Sequence, residues 1–233
     1  HFAPTRLAAR ALRTEGVEES RIRVTGNTVV DAIQQAQAAW PAGIPSSVPA
    51  EIRARLKAGP VVLVTCHRRE NFGTVMEAFC TMLARLSERY SELQWIFPVH
   101  LNPAVREPVH RLLGGRPNLF LTDPVDYHTS LYLIRHAQLV LSDSGGIQEE
   151  APTFGTPVVV MRQHTERMEG VHAGFATLAG QDTLAIEEAV NTWLGDEHHR
   201  NSLRAKANPY GDGQASGRIL AALLGKSVEE FHG

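Results

Sequence analysis

The chain alternates between short apolar runs and stretches in which apolar side chains recur every three or four positions. The runs at 22–25, 61–65, 93–99, 118–122, 138–142 and 157–161 are mostly β-branched or aliphatic and do not alternate with polar residues. Strands of that composition are covered on both faces, as in a parallel sheet. Helical periodicity is clearest after Gly73, where Val75, Phe79, Met82, Leu83 and Leu86 make one stripe, with Glu77, Thr81, Arg85 and Glu88 opposite. Thr74 and Glu77 have capping-box spacing, which predicts the start of that helix. Further helices are predicted over 27–39, 104–113, 129–136, 147–154, 183–194 and 216–224. Residues 41–49, with three prolines, read as a surface loop. Strands that alternate with helices fold as α/β: a doubly wound parallel sheet with helices on both faces. The first 20 residues and the last helix fit that unit poorly and mark where it would join another.

Composition changes this picture little. Of 233 residues, 43% are apolar and 21% charged, which is globular usage and excludes a disordered or collagen-like chain. With 23 cationic and 25 anionic side chains, no basic excess supports a nucleic-acid partner. Apolar runs such as 60–64 fall far below the roughly 20 residues of a membrane helix, and no signal peptide is apparent. Cys66 and Cys80 lack a CxxC spacing, so a cytoplasmic protein with buried, reduced thiols is expected. The chain opens with His1-Phe2-Ala3-Pro4-Thr5 rather than Met, as a piece of a longer protein would.

In open parallel sheets ligands bind beyond the carboxyl ends of the strands, so the segments that follow each strand carry the chemistry. Thr65 to Gly73 places His67, Arg68 and Arg69 at one such end. Guanidinium forks match phosphate oxygens, and an imidazole moves a proton near neutral pH. The plain alternative is a solvated cluster with an arginine paired to Glu70. After the run at 138–142 come Asp143, Ser144, Gly145 and Gly146, then a helix, whose first amides suit an anion. Glu150 lies one turn on, within reach of ribose hydroxyls. The alternative is an ordinary βα turn capped by Asp143 or Ser144. Arg162 and Arg167 flank a third carboxyl end, where a surface Arg–Glu pair is an equally good reading. His100 stands at a fourth. No His, Cys or carboxylate set has metal spacing and no G-x-G-x-x-G occurs, so neither a metal nor a dinucleotide cofactor is predicted. Together these segments suggest a nucleoside diphosphate cradled by a glycine turn, His67 and arginines.

Six stretches resemble signatures of a known family. They are 24–29 (VTGNTV), 64–73 (VTCHRRENFG), 98–103 (PVHLNP), 142–152 (SDSGGIQEEAP), 165–167 (TER) and 208–213 (NPYGDG). In this order they resemble the non-hydrolysing UDP-N-acetylglucosamine 2-epimerases, from His1 to about Leu224. The resemblance implies the C-terminal, Rossmann-like domain of a GT-B two-domain architecture. Residues 1–20 would be the crossover from an N-terminal domain, 21–215 the UDP-binding domain, and 216–233 a helix packing back on the other half. It implies interconversion of UDP-GlcNAc and UDP-ManNAc by elimination and re-addition of UDP, without a cofactor or metal, in a cytoplasmic homodimer serving polysaccharide biosynthesis.

Carried over by position, His67 resembles the catalytic histidine, and Ser144, Gly145 and Gly146 the phosphate-binding turn. Glu150 resembles the ribose-binding glutamate and Arg167 a diphosphate-contacting arginine. Val125 to Ser130 would face uracil, with Ser130 where a phenylalanine is common; Arg68 and His100 would hold a second, regulatory UDP-GlcNAc. Met168 replaces the usual proline after the arginine. Two other readings stand beside this one: a GT-B glycosyltransferase sharing the turn and the ribose glutamate, and a nucleotide-binding fragment inactive on its own.

Overall fold

The computed structural model describes residues 1–233. Its elements run β1 (Phe2–Ala3), α1 (Arg6–Thr14), β2 (Arg23–Val24), α2 (Thr28–Ala38) and α3 (Ala50–Ala58) before the main sheet begins. The sheet unit contains β3 (Val61–Thr65), α4 (Thr74–Arg89), β4 (Gln94–Pro98), α5 (Pro103–Leu113), β5 (Leu119–Thr122), α6 (Tyr127–His136) and β6 (Ala137–Ser142). It continues with α7 (Gly145–Glu150), β7 (Val158–Val160), α8 (Met168–His172), β8 (Ala176–Leu178) and α9 (Thr183–Gly195). Then come α10 (Glu197–Ser202) and α11 (Ala215–Leu223).

Six parallel strands lie in the order β5-β4-β3-β6-β7-β8. The chain thus winds outward from β3 to one edge, returns beside it at β6 and winds outward again, so β3 and β6 flank the switch point where doubly wound sheets bind ligands. The non-alternating strands explain the layering. On β3, Val62 and Val64 enter a core under α4, α5 and α9, whereas Val61 and Leu63 enter a second core under α3, α6 and α7. Every residue of β3 except the last is buried, as two covered faces require.

The predicted α/β fold is present, with instructive differences in detail. The run at 22–25 forms β2, but β2 pairs with β1 in a separate two-stranded sheet rather than joining the main one. The first residues therefore fold onto this chain. Ala3, Ala9, Ile22 and Val24 make a small core of their own, closed by Phe231, whose amide donates to the Val24 carbonyl. Part of the 216–233 segment thus packs on this chain's own start.

Helix α4 begins where expected but not by the expected device: Gly73, at φ +73°, is the cap residue, Thr74 is the first helical residue, and no side chain caps the helix. Glu77 pairs with Arg111 instead. On its buried face Met76, not Val75, reaches the core. Helix α6 starts two residues early because Asp126 accepts from the Thr129 amide. Helices α1, α3, α8 and α10 and the edge strand β8 had no counterpart among the sequence-predicted elements. No helix is long and apolar enough to cross a membrane, and both cysteines are free and buried.

Candidate functional site

The carboxyl ends of β3 and β6 are tied side by side. Thr65 and Ser142 are register partners, and their hydroxyls lie 2.7 Å apart. The next residue after Ser142 is Asp143, fully buried, and everything around it is arranged for a carboxylate. Its Oδ2 accepts from the His67 and Arg68 amides at 2.9 and 2.8 Å and from Asn71 Nδ2 at 2.9 Å. Its Oδ1 lies 3.1 Å from His67 Nδ1. Burial opposes ionisation of Asp143, but the hydrogen bonds from the His67 ring and from the Arg68 and His67 amides hold its pKa below the ordinary value. The same hydrogen bond raises the His67 pKa against the opposing effect of its partial burial. With Nδ1 turned to Asp143, the Nε2 edge is left for a ligand. Carboxylate orientation of an imidazole fixes its tautomer and makes it a better proton carrier.

Beside His67, a cavity of about 190 Å³ opens between β3, β4, α6 and α7. His67, His100, Val125, Ser130 and Ser144 line it, with Leu63, Leu133 and Ile147 as its apolar wall. The His67 and His100 rings lie 6.1 Å apart, nearly parallel. His100 also has a local task, since its Nδ1 accepts from the Asn102 amide at 3.1 Å. Arg68 turns inward, its Nε donating to the Asp143 carbonyl at 2.9 Å. A wider depression of about 640 Å³ lies elsewhere, between α2, α11 and residues 229–233, and none of the sequence-predicted site residues lines it.

On the other side of α7, Arg167 reaches from the loop after β7 across the first turn. A Cβ placed on Gly145 would come within 2.6 Å of Arg167 Nη1 and 2.7 Å of Cζ, so only glycine lets the guanidinium lie there. No side chain caps α7. Glu149 Oε1 accepts from Arg167 Nε at 2.8 Å, and the exposed Glu166 pairs with Nη1. Glu150 faces the same turn: its Oε1 lies 3.8 Å from where a Gly146 Cβ would be. Burial, with Glu149 adding repulsion, pushes its pKa up to about 7. Arg162, just after β7, pairs with Glu70 and Glu166, so the arginine at Glu70 comes from a strand end two places away in the sheet.

The structure thus brings His67, His100, Val125, Ser130 and Ser144 to one cavity. Gly145, Gly146, Glu150 and Arg167 stand around the turn that begins at its rim. Sequence reasoning missed Asp143 as anything beyond a cap, and missed Glu149, Asn71 and Tyr210. The signal for Asp143 was its position directly after a strand buried on both faces.

A doubly wound parallel sheet with a histidine–aspartate pair at its switch point and an arginine over the adjacent turn defines a Rossmann-like α/β class. The comparisons make the class specific. The sequence model of the UDP-N-acetylglucosamine 2-epimerase family matches residues 1–224. The UDP-N-acetylglucosamine 2-epimerase of Escherichia coli K12 is 46% identical over 236 residues, covering 98% of this chain and 61% of that protein. The Staphylococcus aureus MnaA–UDP co-structure superposes with a TM-score of 0.88 at 35% identity, covering 100% of this chain and 62% of that one. The UDP-GlcNAc 2-epimerase of Neisseria meningitidis, bound to UDP-GlcNAc, superposes with a TM-score of 0.85 at 35% identity, covering 97% and 61%. This chain belongs to the UDP-N-acetylglucosamine 2-epimerase family. It spans about three fifths of the length of the relatives it matches.

Proposed function

We propose that the chain is the nucleotide-binding, C-terminal half of a UDP-GlcNAc 2-epimerase of GT-B architecture, acting on UDP-GlcNAc and UDP-ManNAc. One observation carries the reading: a buried carboxylate holds His67 at the switch point, beside a cavity of base size and a turn covered by an arginine. In the reaction the C2 proton passes to a base on the other half, the C1–O bond breaks, and its electron pair goes to the β-phosphate oxygen of departing UDP. Re-addition on reprotonation from the opposite face completes the exchange. Cationic groups preorganised at a leaving phosphate stabilise the charge that develops there. His67 and Arg167 supply those groups, Ser144, Gly145 and Gly146 receive phosphate, Glu150 accepts from ribose, and Val125 and Ser130 face the base. Arg68 and His100 stand at the cleft edge for a second UDP-GlcNAc.

The division at about residue 215 is supported by α11, with Leu220, Leu223 and Leu224 exposed for the other half, whereas the β1–β2 sheet ties residues 1–20 to Arg23–Val24 of the UDP-binding domain. A cytoplasmic homodimer follows from the same family reading. Calorimetry with UDP on this chain tests the binding half. Proton NMR of UDP-GlcNAc in deuterium oxide with the full-length protein tests the chemistry. Deuterium entering at C2 is expected; UDP binding with no exchange at C2 would leave a glycosyltransferase or a binding unit.

A further inference from the structure

Two of the six signature stretches, 24–29 and 208–213, touch neither the cavity nor the turn. Both converge on the pair formed by Glu149 and Arg167. This carboxylate has one donor on each oxygen: Arg167 Nε on Oε1 at 2.8 Å and Asn27 Nδ2 on Oε2 at 3.0 Å. The Asn27 amide cannot turn away, because its Oδ1 caps α2 by accepting from the Val29 amide at 3.0 Å. The Asn27 backbone amide in turn donates to the Tyr210 carbonyl at 2.8 Å.

Tyr210 closes the circuit. Its ring is buried, and its hydroxyl accepts from the Gly170 amide at 2.9 Å and donates to the Arg167 carbonyl at 3.0 Å. Burial raises the phenol's pKa, so it remains a donor throughout the physiological range. A Cβ on Gly170 would meet the hydroxyl at 2.9 Å, and one on Gly211 would meet the Asn27 amide nitrogen at 3.2 Å, so the glycines of these loops make room for the contacts. Arg167 is therefore held at both ends, its carbonyl by Tyr210 and its Nε by Glu149. Only its Nη groups point to the turn, where the competing carboxylate, Glu166, is exposed and free to move aside.

We propose that Glu149, Asn27 and Tyr210 are positioning residues that aim the Arg167 guanidinium across the Gly145 turn for a diphosphate. The inference rests on the proposed diphosphate role of Arg167. Holding a guanidinium by Nε preserves its outward fork for two phosphate oxygens and removes the entropy cost of ordering it on binding. A lysine offers no second nitrogen to hold, so Arg167→Lys would not substitute.

The test measures UDP affinity by calorimetry and uridine affinity by NMR titration for the chain and for Glu149→Gln, Tyr210→Phe and Arg167→Ala. UDP binding is expected to weaken about tenfold or more in each variant, with uridine binding unchanged within about twofold. In the Arg167→Ala background, Glu149→Gln is expected to have no further effect, since a positioning residue acts only through the group it holds. Equal losses for UDP and uridine would reduce these residues to a structural role and overturn the inference. So would wild-type UDP affinity in Glu149→Gln and Tyr210→Phe, or additive losses with Arg167→Ala. A chain that does not bind UDP, or an Arg167→Ala chain that binds it undiminished, would overturn the functional reading first and this inference with it.

Discussion

Two carboxylate–cation pairs flank α7, and they are built in opposite ways. Asp143 and His67 come from the ends of adjacent strands, and the carboxylate is fully buried among two backbone amides, an asparagine and an imidazole. Glu149 and Arg167 come from a helix and a loop, each about one-fifth exposed, and are tied to α2 and to the loop at 208–213. In the first pair the carboxylate is part of the fold and the imidazole is the more exposed partner. In the second, on the proposed reading, the cation is the working group and the carboxylate steers it. Removing the acid should therefore injure stability in one case and ligand affinity in the other.

The sharpest way to break this contrast is to remove each member of the first pair. Asp143→Ala strips the acceptor from three buried or half-buried donors and should destabilise the chain by about 3–5 kcal/mol, read from urea unfolding. His67→Ala leaves one Asp143 oxygen without its donor but keeps the two amide partners and Asn71, and should cost only about 1–2 kcal/mol, less than Asp143→Ala. Turnover of the full-length enzyme should nevertheless fall by about 10²–10⁴. Asp143→Asn, which keeps the shape, should lower the His67 pKa in an NMR titration, because the hydrogen bond that raises it is weakened. If His67→Ala were as unstable as Asp143→Ala, or kept its turnover, the division of labour drawn here would collapse.

Glu150 sharpens the comparison from between the two pairs, since it is half-buried with no cation paired to it. Its carboxyl, ordinarily near 4.5, titrates near 7 when folded. Between those values the folded chain holds a proton that the unfolded chain has released, so stability should decline as pH rises through this window, by about 2–3 kcal/mol in total. Glu150→Gln should match wild type at pH 4 and be the more stable protein at pH 8, while binding UDP more weakly if the carboxylate accepts from ribose. A thermal-unfolding series across pH reads the first effect. Parallel wild-type and variant curves would show that Glu150 is solvated after all.

Arg167→Ala comes next. Loss of a hydrogen bond to a charged group should weaken UDP binding by about 1.5–3 kcal/mol in calorimetry, with little change in stability. An affinity unchanged within error would mean that the guanidinium serves only Glu149 and Glu166.

Much of this was legible in the chain because the decisive signals are local. The covered strands β3, β4 and β6 are continuous apolar runs, the glycine turn and His67 follow strands within a few residues, and Arg167 lies in the loop after β7. What escaped was set by packing. Helix α3 buries only Ile52 fully, so its nine residues carry too thin a stripe to separate from a loop. Strand β8 has three residues at the sheet edge, too few for any period. Asp143 reads as a helix cap until β3 is laid beside β6, because its partners are some 70 positions away. Glu149 and Glu150 are neighbours in sequence but turn to different sides of α7, and no composition rule tells which meets Arg167 and which the turn.

The smallest effect is also the most specific, and it concerns two glycines that look alike on paper. At Gly145 a methyl group would collide with the far end of the Arg167 side chain, which can swing away. At Gly155, at φ +66°, it would sit 2.7 Å from the Arg204 Cα, against backbone that cannot move. Gly155→Ala should thus cost stability, about 1–3 kcal/mol from the strained backbone conformation and the clash. Gly145→Ala should unfold like wild type yet bind UDP roughly threefold to tenfold more weakly, because its cost falls on the aim of one guanidinium. Calorimetry and urea unfolding on the two variants separate the outcomes. Were Gly145→Ala to lose stability and keep its affinity, the guanidinium would belong to the fold, as Asp143 does, and the difference between the two pairs would vanish.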